Sequence, residues 1–292
     1  MYERYYGLAE RPFELTPNPR FLLLTPAHRE ALNTLEYGIC ARKGITLIIG
    51  EAGTGKTTLL RRALAIRHRA ADNTNDLFVH INNPKVTRDE FLRLLAARFD
   101  LSAAAASSKV DLLRELEPLL RQRNERGCAT VLIVDEAQSL SDDVLEELRL
   151  LANIESDTEK QLQLVLAGQP ELAVRLNQPH LLQLKQRIAL RCRLAPLTLR
   201  ETGAYVAGRI RLAGGDAGRI FTREAVIGIH MAAHGIPRSI NVICDNVMLA
   251  GFAADEQPIA RPSVDLVCRD LDIQIDMPAS VASISERQWR RQ

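Results

Sequence analysis

No stretch of this sequence stays apolar for the ~20 residues that a membrane-spanning helix needs, so no direct membrane insertion is expected. The opening Met1-Tyr-Glu-Arg-Tyr-Tyr has no apolar core of the kind a secretory signal carries. There is no CxxC pair: the five cysteines (Cys40, Cys128, Cys192, Cys244, Cys268) are scattered and odd in number. They read as thiols in a reducing compartment, not as disulfide staples or zinc ligands. Together these absences imply a cytoplasmic location. There is also little charge imbalance. A formal net charge of +2 argues against a strongly basic nucleic-acid binder. What is present, 46% apolar and 25% charged residues in a chain of 292, is globular and excludes disordered, collagen-like and coiled-coil classes.

Along the chain the pattern changes twice. Residues 1–25, with Pro12, Phe13, Pro17, Pro19 and Phe21, read as an extended arm, since prolines break long helices. Pro26 to Arg42 has helical spacing. Short apolar strands then alternate with helices: Ile45–Ile49, Leu77–Ile81, Thr130–Val134, Leu162–Ala167 and Ile188–Leu194. That order implies a mostly parallel sheet covered on both faces. Ser102–Ser108 and Gly214–Gly218 read as loops. After Pro196 the spacing is helical throughout, starting at the capping box Thr198-Leu-Arg-Glu201. The expected division is an arm and linker helix at 1–43, an α/β core at 44–197, a helical domain at 198–274 and a flexible tail at 275–292.

One motif decides the chemistry. Gly50, Glu51, Ala52, Gly53, Thr54, Gly55, Lys56 and Thr57, followed by Thr58, fit GxxxxGK[ST], with an apolar strand entering and a helix leaving. Glycines let successive backbone N–H groups curl round phosphate oxygens, and the new helix points its positive end at the same anion. Lys56 adds a charge at the β- and γ-phosphates, and the Thr57 hydroxyl can ligate Mg²⁺. The cofactors expected are therefore ATP and Mg²⁺. Asp135-Glu136 ends the third strand, where open sheets bind ligands. Asp135 can hold the Mg²⁺ shell, and Glu136 can deprotonate a water attacking the γ-phosphate. A carboxylate at 136 favours hydrolysis over transfer to a small molecule.

Gln169 ends the fourth strand and could bond the attacking water; the alternative is a polar turn residue. Arg187, Arg191 and Arg193 flank the fifth strand. Arg187 is the candidate to reach a neighbouring subunit's γ-phosphate, with surface ion pairing as the alternative. Arg238 lies in the first turn of a later helix, where a cation is unfavourable without an anionic partner; nucleotide would supply one. His230 and His234 stand i,i+4 but have no third ligand nearby in sequence, so no metal site is expected there.

These residues together resemble the AAA+ ATPase superfamily. More narrowly, the chain resembles the ExeA/GspA family of secretion-associated ATPases over nearly its whole length. The likeness is carried by Tyr5-Tyr6-Gly7-Leu8, Arg11-Pro12-Phe13, Thr16-Pro17-Asn18-Pro19, His28-Arg-Glu-Ala-Leu32, Asp135-Glu136-Ala-Gln138, Ala167-Gly-Gln-Pro-Glu-Leu172, Gln186-Arg187-Ile188 and Pro237-Arg238-Ser-Ile-Asn241. The resemblance implies an α/β fold, a five-stranded parallel P-loop NTPase sheet in order 5-1-4-3-2, with a C-terminal all-helical lid. It implies an oligomeric ring, a hexamer, formed on ATP binding, and a protein partner in secretion, pilus or exopolysaccharide assembly. ExeA itself carries a membrane span and a peptidoglycan-binding domain after the ATPase; a short form without either is expected here. The same ATPase type also resembles TnsC/TniB-like transposition regulators, which assemble on DNA. DNA is thus the alternative partner, and the basic excess in residues 1–127, including Arg61, Arg62 and Arg69, is the feature that would serve it.

Overall fold

The structure, a computed structural model, describes residues 1–14, 24–70, 75–82, 85–156 and 159–273, with 68–70 as backbone only. The Thr16–Pro19 signature, the Arg69 side chain and the tail with Trp289 lie outside the described residues. In chain order the first elements are α1 (Tyr2–Tyr5), α2 (Pro26–Cys40), β1 (Ile45–Gly50), α3 (Lys56–Ala70), β2 (Leu77–Ile81), α4 (Arg88–Arg98), α5 (Ala103–Ser107), α6 (Lys109–Glu125) and β3 (Thr130–Val134). Then follow α7 (Asp142–Leu151), β4 (Gln163–Gly168), α8 (Pro170–Arg175), α9 (Leu182–Arg187) and β5 (Ile188–Leu194). The last are α10 (Leu199–Leu212), α11 (Ala217–Ile220), α12 (Arg223–Ala233), α13 (Pro237–Ala253) and α14 (Arg261–Asp270). Two compact units result: Leu24–Ala195, and Met1–Leu23 together with Pro196–Gln292.

The first unit is built on one five-stranded sheet, all parallel, in the order β2-β3-β4-β1-β5. This is the expected order 5-1-4-3-2 read from the other edge. The strands read as solid apolar runs because both faces are covered. Strand periodicity sorts their side chains. Leu132 and Val134 of β3 and Leu164 and Leu166 of β4 join one core with Phe91, Leu112 and Leu148. Val131, Ile133, Val165 and Ala167 join the other with Leu35, Leu59 and Leu60. Each such buried aliphatic side chain stabilises the unit by about 1.5–3 kcal/mol, and a one-residue slip in register would exchange the two faces. None of the described helices is long and apolar enough to cross a membrane.

The second unit is helical. Residues 1–14, expected as extended, begin with a helical turn, because Tyr2, Tyr6, Leu8 and Phe13 are all buried in a core with Tyr205, Val206, Ile243 and Val247. The Tyr2 hydroxyl donates to Asp245, and the buried Arg209 guanidinium donates to the Pro12 carbonyl and lies over the Phe13 ring. Burial, then the Asp245 hydrogen bond, push the Tyr2 phenol well above its ordinary value.

Two local expectations differ. The supposed loop at Ser102–Ser108 contains α5: the Ser102 Oγ accepts from Ala105 N–H at 3.2 Å and caps four alanines, the best helix formers. The supposed loop at Gly214–Gly218 runs into α11, capped by the Asp216 side chain on Gly218 N–H at 3.0 Å. Helices α8 and α9, six residues each, were not legible because too few residues repeat to show a period.

Candidate functional site

The site is assembled at the carboxyl ends of β1, β3 and β4. From Gly50 the chain turns through residues 51–55 before α3 begins at Lys56. The turn needs Gly55 (φ +98), a left-handed conformation that side chains resist. The Thr54 hydroxyl donates to the Glu51 carbonyl at 2.8 Å and closes the loop. His28 holds it from outside. Its Nε2 lies 3.1 Å from the Thr54 carbonyl and its Nδ1 2.7 Å from Thr25 Oγ1, all buried. A carbonyl only accepts, so Nε2 carries the proton.

Lys56 is only 4% exposed, and its ammonium donates to the carbonyls of Gly50 (2.8 Å) and Glu51 (3.2 Å). It forms no ion pair among the described residues. A buried cation bonded to neutral carbonyls, at a helix N-terminus with no acidic residue in its first turn, is an environment that fits an anion. Next to it, the Thr57 hydroxyl donates to Asp135 Oδ2 at 2.5 Å. Asp135 Oδ1 accepts from Glu136 N–H at 3.0 Å, and Asp135 N–H extends the sheet ladder to Ile81 at 3.0 Å, so the carboxylate is fixed at both ends. A hydroxyl and a carboxylate side by side are hard oxygen donors that suit Mg²⁺. No cluster of three His, Cys, Asp or Glu side chains is placed to hold a metal among the described residues. An ion here would therefore complete its shell from phosphate and water.

Glu136 sits at φ +55, in the left-handed region, as β3 gives way to a one-turn 3₁₀ helix, Ala137–Ser139. Its Oε2 accepts from Gln138 Nε2 at 2.5 Å and from Gln169 Nε2 at 3.2 Å. Burial by itself would raise its pKa, but the two amide donors, aided by the charge of Lys56, hold the carboxyl below the usual glutamate value. It is therefore fully ionised at neutral pH.

Comparison with known proteins shows the family. A family described as an AAA domain matches residues 40–176. General secretion pathway protein A of Aeromonas hydrophila is 40% identical over 274 residues, covering 93% of this chain and 48% of that protein. The chain belongs to the ExeA/GspA family of AAA+ proteins. This ExeA/GspA-family chain spans about half the length of the curated relative it matches. Solved structures with the same fold include the Aeropyrum pernix ORC2 protein (18% identity, TM-score 0.64, 87% of this chain and 70% of that one). They also include Drosophila ORC bound to DNA (18%, 0.61, 94% and 69%). A third is the Thermotoga maritima RuvB Holliday junction branch migration motor (17%, 0.55, 84% and 70%).

Of the residues singled out in the sequence, the structure brings Gly50–Thr57, Asp135, Glu136 and Gln169 together. Arg187 is not among them. It precedes Ile188, which pairs with Ile45 at the amino end of β1, whereas Gly50 pairs with Leu194 at the carboxyl end. Five strand steps, about 16 Å, separate the two ends, so Arg187 takes no part in its own chain's loop. It is exposed, like Arg191 and Arg193. Arg238 is exposed in the first turn of α13, in the helical unit. His230 Nδ1 lies 2.9 Å from Thr202 Oγ1. Two residues of the site stand in the quoted sequence motifs, Gln138 without a role and His28 only as part of Pro26–Arg29, a segment that leads into the core and is a candidate for contacting adenine. Their spacing carries no chemistry by itself; only the fold sets each against its partner.

Proposed function

We propose that this AAA+ chain binds ATP with Mg²⁺ and hydrolyses it to ADP and phosphate, working as an oligomeric switch or motor in envelope assembly. One observation carries the hydrolytic reading: Glu136, ionised and held at Oε2 by two amides, stands at the end of the strand whose Asp135 meets Thr57 of the phosphate loop. In this reading the triphosphate lies on the backbone N–H groups of residues 51–58, and Lys56 exchanges its two carbonyl partners for phosphate oxygens. Thr57 and Asp135 would hold Mg²⁺, which when bound neutralises charge on the β- and γ-oxygens. Glu136 takes a proton from water as the water oxygen bonds the γ-phosphorus. The bond from that phosphorus to the bridging oxygen breaks, and ADP leaves with the electron pair. Gln169 orients the water. Arg187, remote from its own loop, acts on a neighbouring subunit's γ-phosphate, and Arg238 is a further candidate for contact with nucleotide.

The name of the Aeromonas hydrophila relative supports a role in secretion or a related assembly of the envelope. The five free thiols support a cytoplasmic location. A ring, taken as six subunits, would be stabilised by ATP between subunits and released by hydrolysis. The test is phosphate release together with size on a column. Wild type releases phosphate; Glu136→Gln does not, keeps ATP and elutes as an oligomer only with ATP and Mg²⁺. Undiminished hydrolysis in Glu136→Gln or Lys56→Ala overturns the reading. A second reading, ATP-dependent DNA binding, rests on the basic excess of residues 1–127. Failure of DNA to retain the protein at low salt with ATP and Mg²⁺ removes it.

A further inference from the structure

We propose that Gln138 is a positioning residue for the water-activating carboxylate: its amide ties Glu136 to the backbone of Gln169, so the ends of β3 and β4 present base and water-orienting amide as one piece. The inference deepens the hydrolytic reading above and rests on it.

The orientation of the Gln138 amide is determined. The N–H of Gln169 is only a donor, and it reaches Gln138 Oε1 at 3.0 Å. With the oxygen turned to Gln169, the Nε2 faces Glu136 and donates to Oε2 at 2.5 Å. The Gln138 main chain is pinned as well: Arg175 Nη1 donates to its carbonyl at 2.9 Å and to that of Leu140 at 2.8 Å. Ala137, between Glu136 and Gln138, is fully buried. The half-buried Gln138 side chain therefore bridges two strand ends that each carry one functional group. There is no slack on the β4 side: a Cβ at Gly168 would lie 3.2 Å from Gln138 Oε1 and 2.7 Å from Leu172 Cδ2.

The bridge decides which oxygen works. Gln138 and Gln169 both donate to Oε2 of Glu136, which leaves Oε1 as its open acceptor among the described residues. A water on Oε1 would meet a carboxylate whose torsion is already set, in a residue whose backbone is held in the left-handed region. Losing the Gln138 donor leaves the carboxylate held by Gln169 alone and free to rotate.

The test is steady-state hydrolysis at neutral pH by the full chain, read as kcat against KM for ATP, with Glu136→Gln assayed beside it. In Gln138→Leu we expect kcat to fall about tenfold or more with KM for ATP changed less than about threefold, because one hydrogen bond to an ionised group is lost. Gln138→Glu keeps the size and shape of the side chain and covers the case in which Gln138→Leu does not fold. It sets two carboxylates face to face, so kcat falls at least as far, again with KM little changed. Wild-type kcat in either folded variant, or a loss carried by KM alone, overturns the proposal while leaving the hydrolytic reading intact. Undiminished hydrolysis in Glu136→Gln overturns both.

Discussion

The hydroxyl of Thr57 donates to Asp135 Oδ2 across 2.5 Å, although 78 positions separate the two residues. Thr57 is set by the first turn of α3 and Asp135 by the end of β3, a strand not adjacent to β1. The contact exists because β4 lies between them in a register that brings three strand ends to one level. If this pair holds the divalent cation, Asp135→Asn, which keeps the shape and removes the charge, should raise the Mg²⁺ concentration for half-maximal hydrolysis about tenfold or more. Phosphate release titrated with Mg²⁺ checks this; an unchanged midpoint would remove Asp135 from the metal shell.

The pH dependence has a definite sign. The Glu136 carboxyl is held below the ordinary value of 4.5 in the folded chain, with burial opposing and the amides of Gln138 and Gln169 prevailing. A group with a depressed folded pKa is ionised above it and is protonated as pH falls through it. In the nucleotide-free chain the Glu136 carboxyl should therefore stay ionised until the pH falls below about 4.5, over whatever part of that range near-ultraviolet circular dichroism shows the fold intact. Carboxyl-carbon NMR, with Glu136→Gln to assign the resonance, checks this; a midpoint above the ordinary glutamate value in folded protein would contradict the hold of the two amides.

His28 offers a separate handle on the loop. His28→Ala removes the imidazole that bonds the Thr54 carbonyl and the Thr25 hydroxyl. Loosening the loop should raise KM for ATP by about tenfold, the worth of a good hydrogen bond, with a smaller change in kcat. His28→Gln, whose side-chain N–H can donate to Thr54, should recover part of it. Equal affinity of all three proteins for a fluorescent ATP analogue would count against the loop-holding role.

In the helical unit, Gly235 is in the left-handed region (φ +72), and a Cβ there would sit 2.1 Å from the Leu197 carbonyl oxygen. The Leu197 N–H donates to the Gly235 carbonyl at 2.8 Å, so the two backbones cannot easily part. Gly235→Ala should destabilise this unit by about 3 kcal/mol or more. Scanning calorimetry would detect it; an unshifted transition would contradict the close approach.

The arm should behave as part of the helical core. Phe13 is 1% exposed among residues of that unit, so Phe13→Ala should cost about 3–5 kcal/mol. Denaturation followed by a probe in α10 reports this. A loss under about 1 kcal/mol would mean that the arm only rests on the surface.

Much of this protein is legible without its structure, for a physical reason in each case. A strand buried on both faces must be apolar throughout, so β1, β3 and β4 stand out as runs. A helix needs its orphan amides capped, so Thr87, Ser141, Thr198 and Thr222 announce α4, α7, α10 and α12. A backbone cradle for phosphate needs glycine at set positions, so residues 50–57 name their ligand class. Those constraints are local, and a local constraint is written in consecutive residues. What the tertiary structure alone decides is which distant groups meet. The arm packs in the helical core because its four apolar side chains find cover there. Gln138 turns its amide toward Glu136 because the Gln169 N–H, 31 positions away, can only donate. Arg187 is parted from the loop because parallel strands place the start of β5 at the end of the sheet opposite Gly50. Hydrogen bonding and packing between remote segments depend on register and strand order, and neither has a signature in any single stretch of chain.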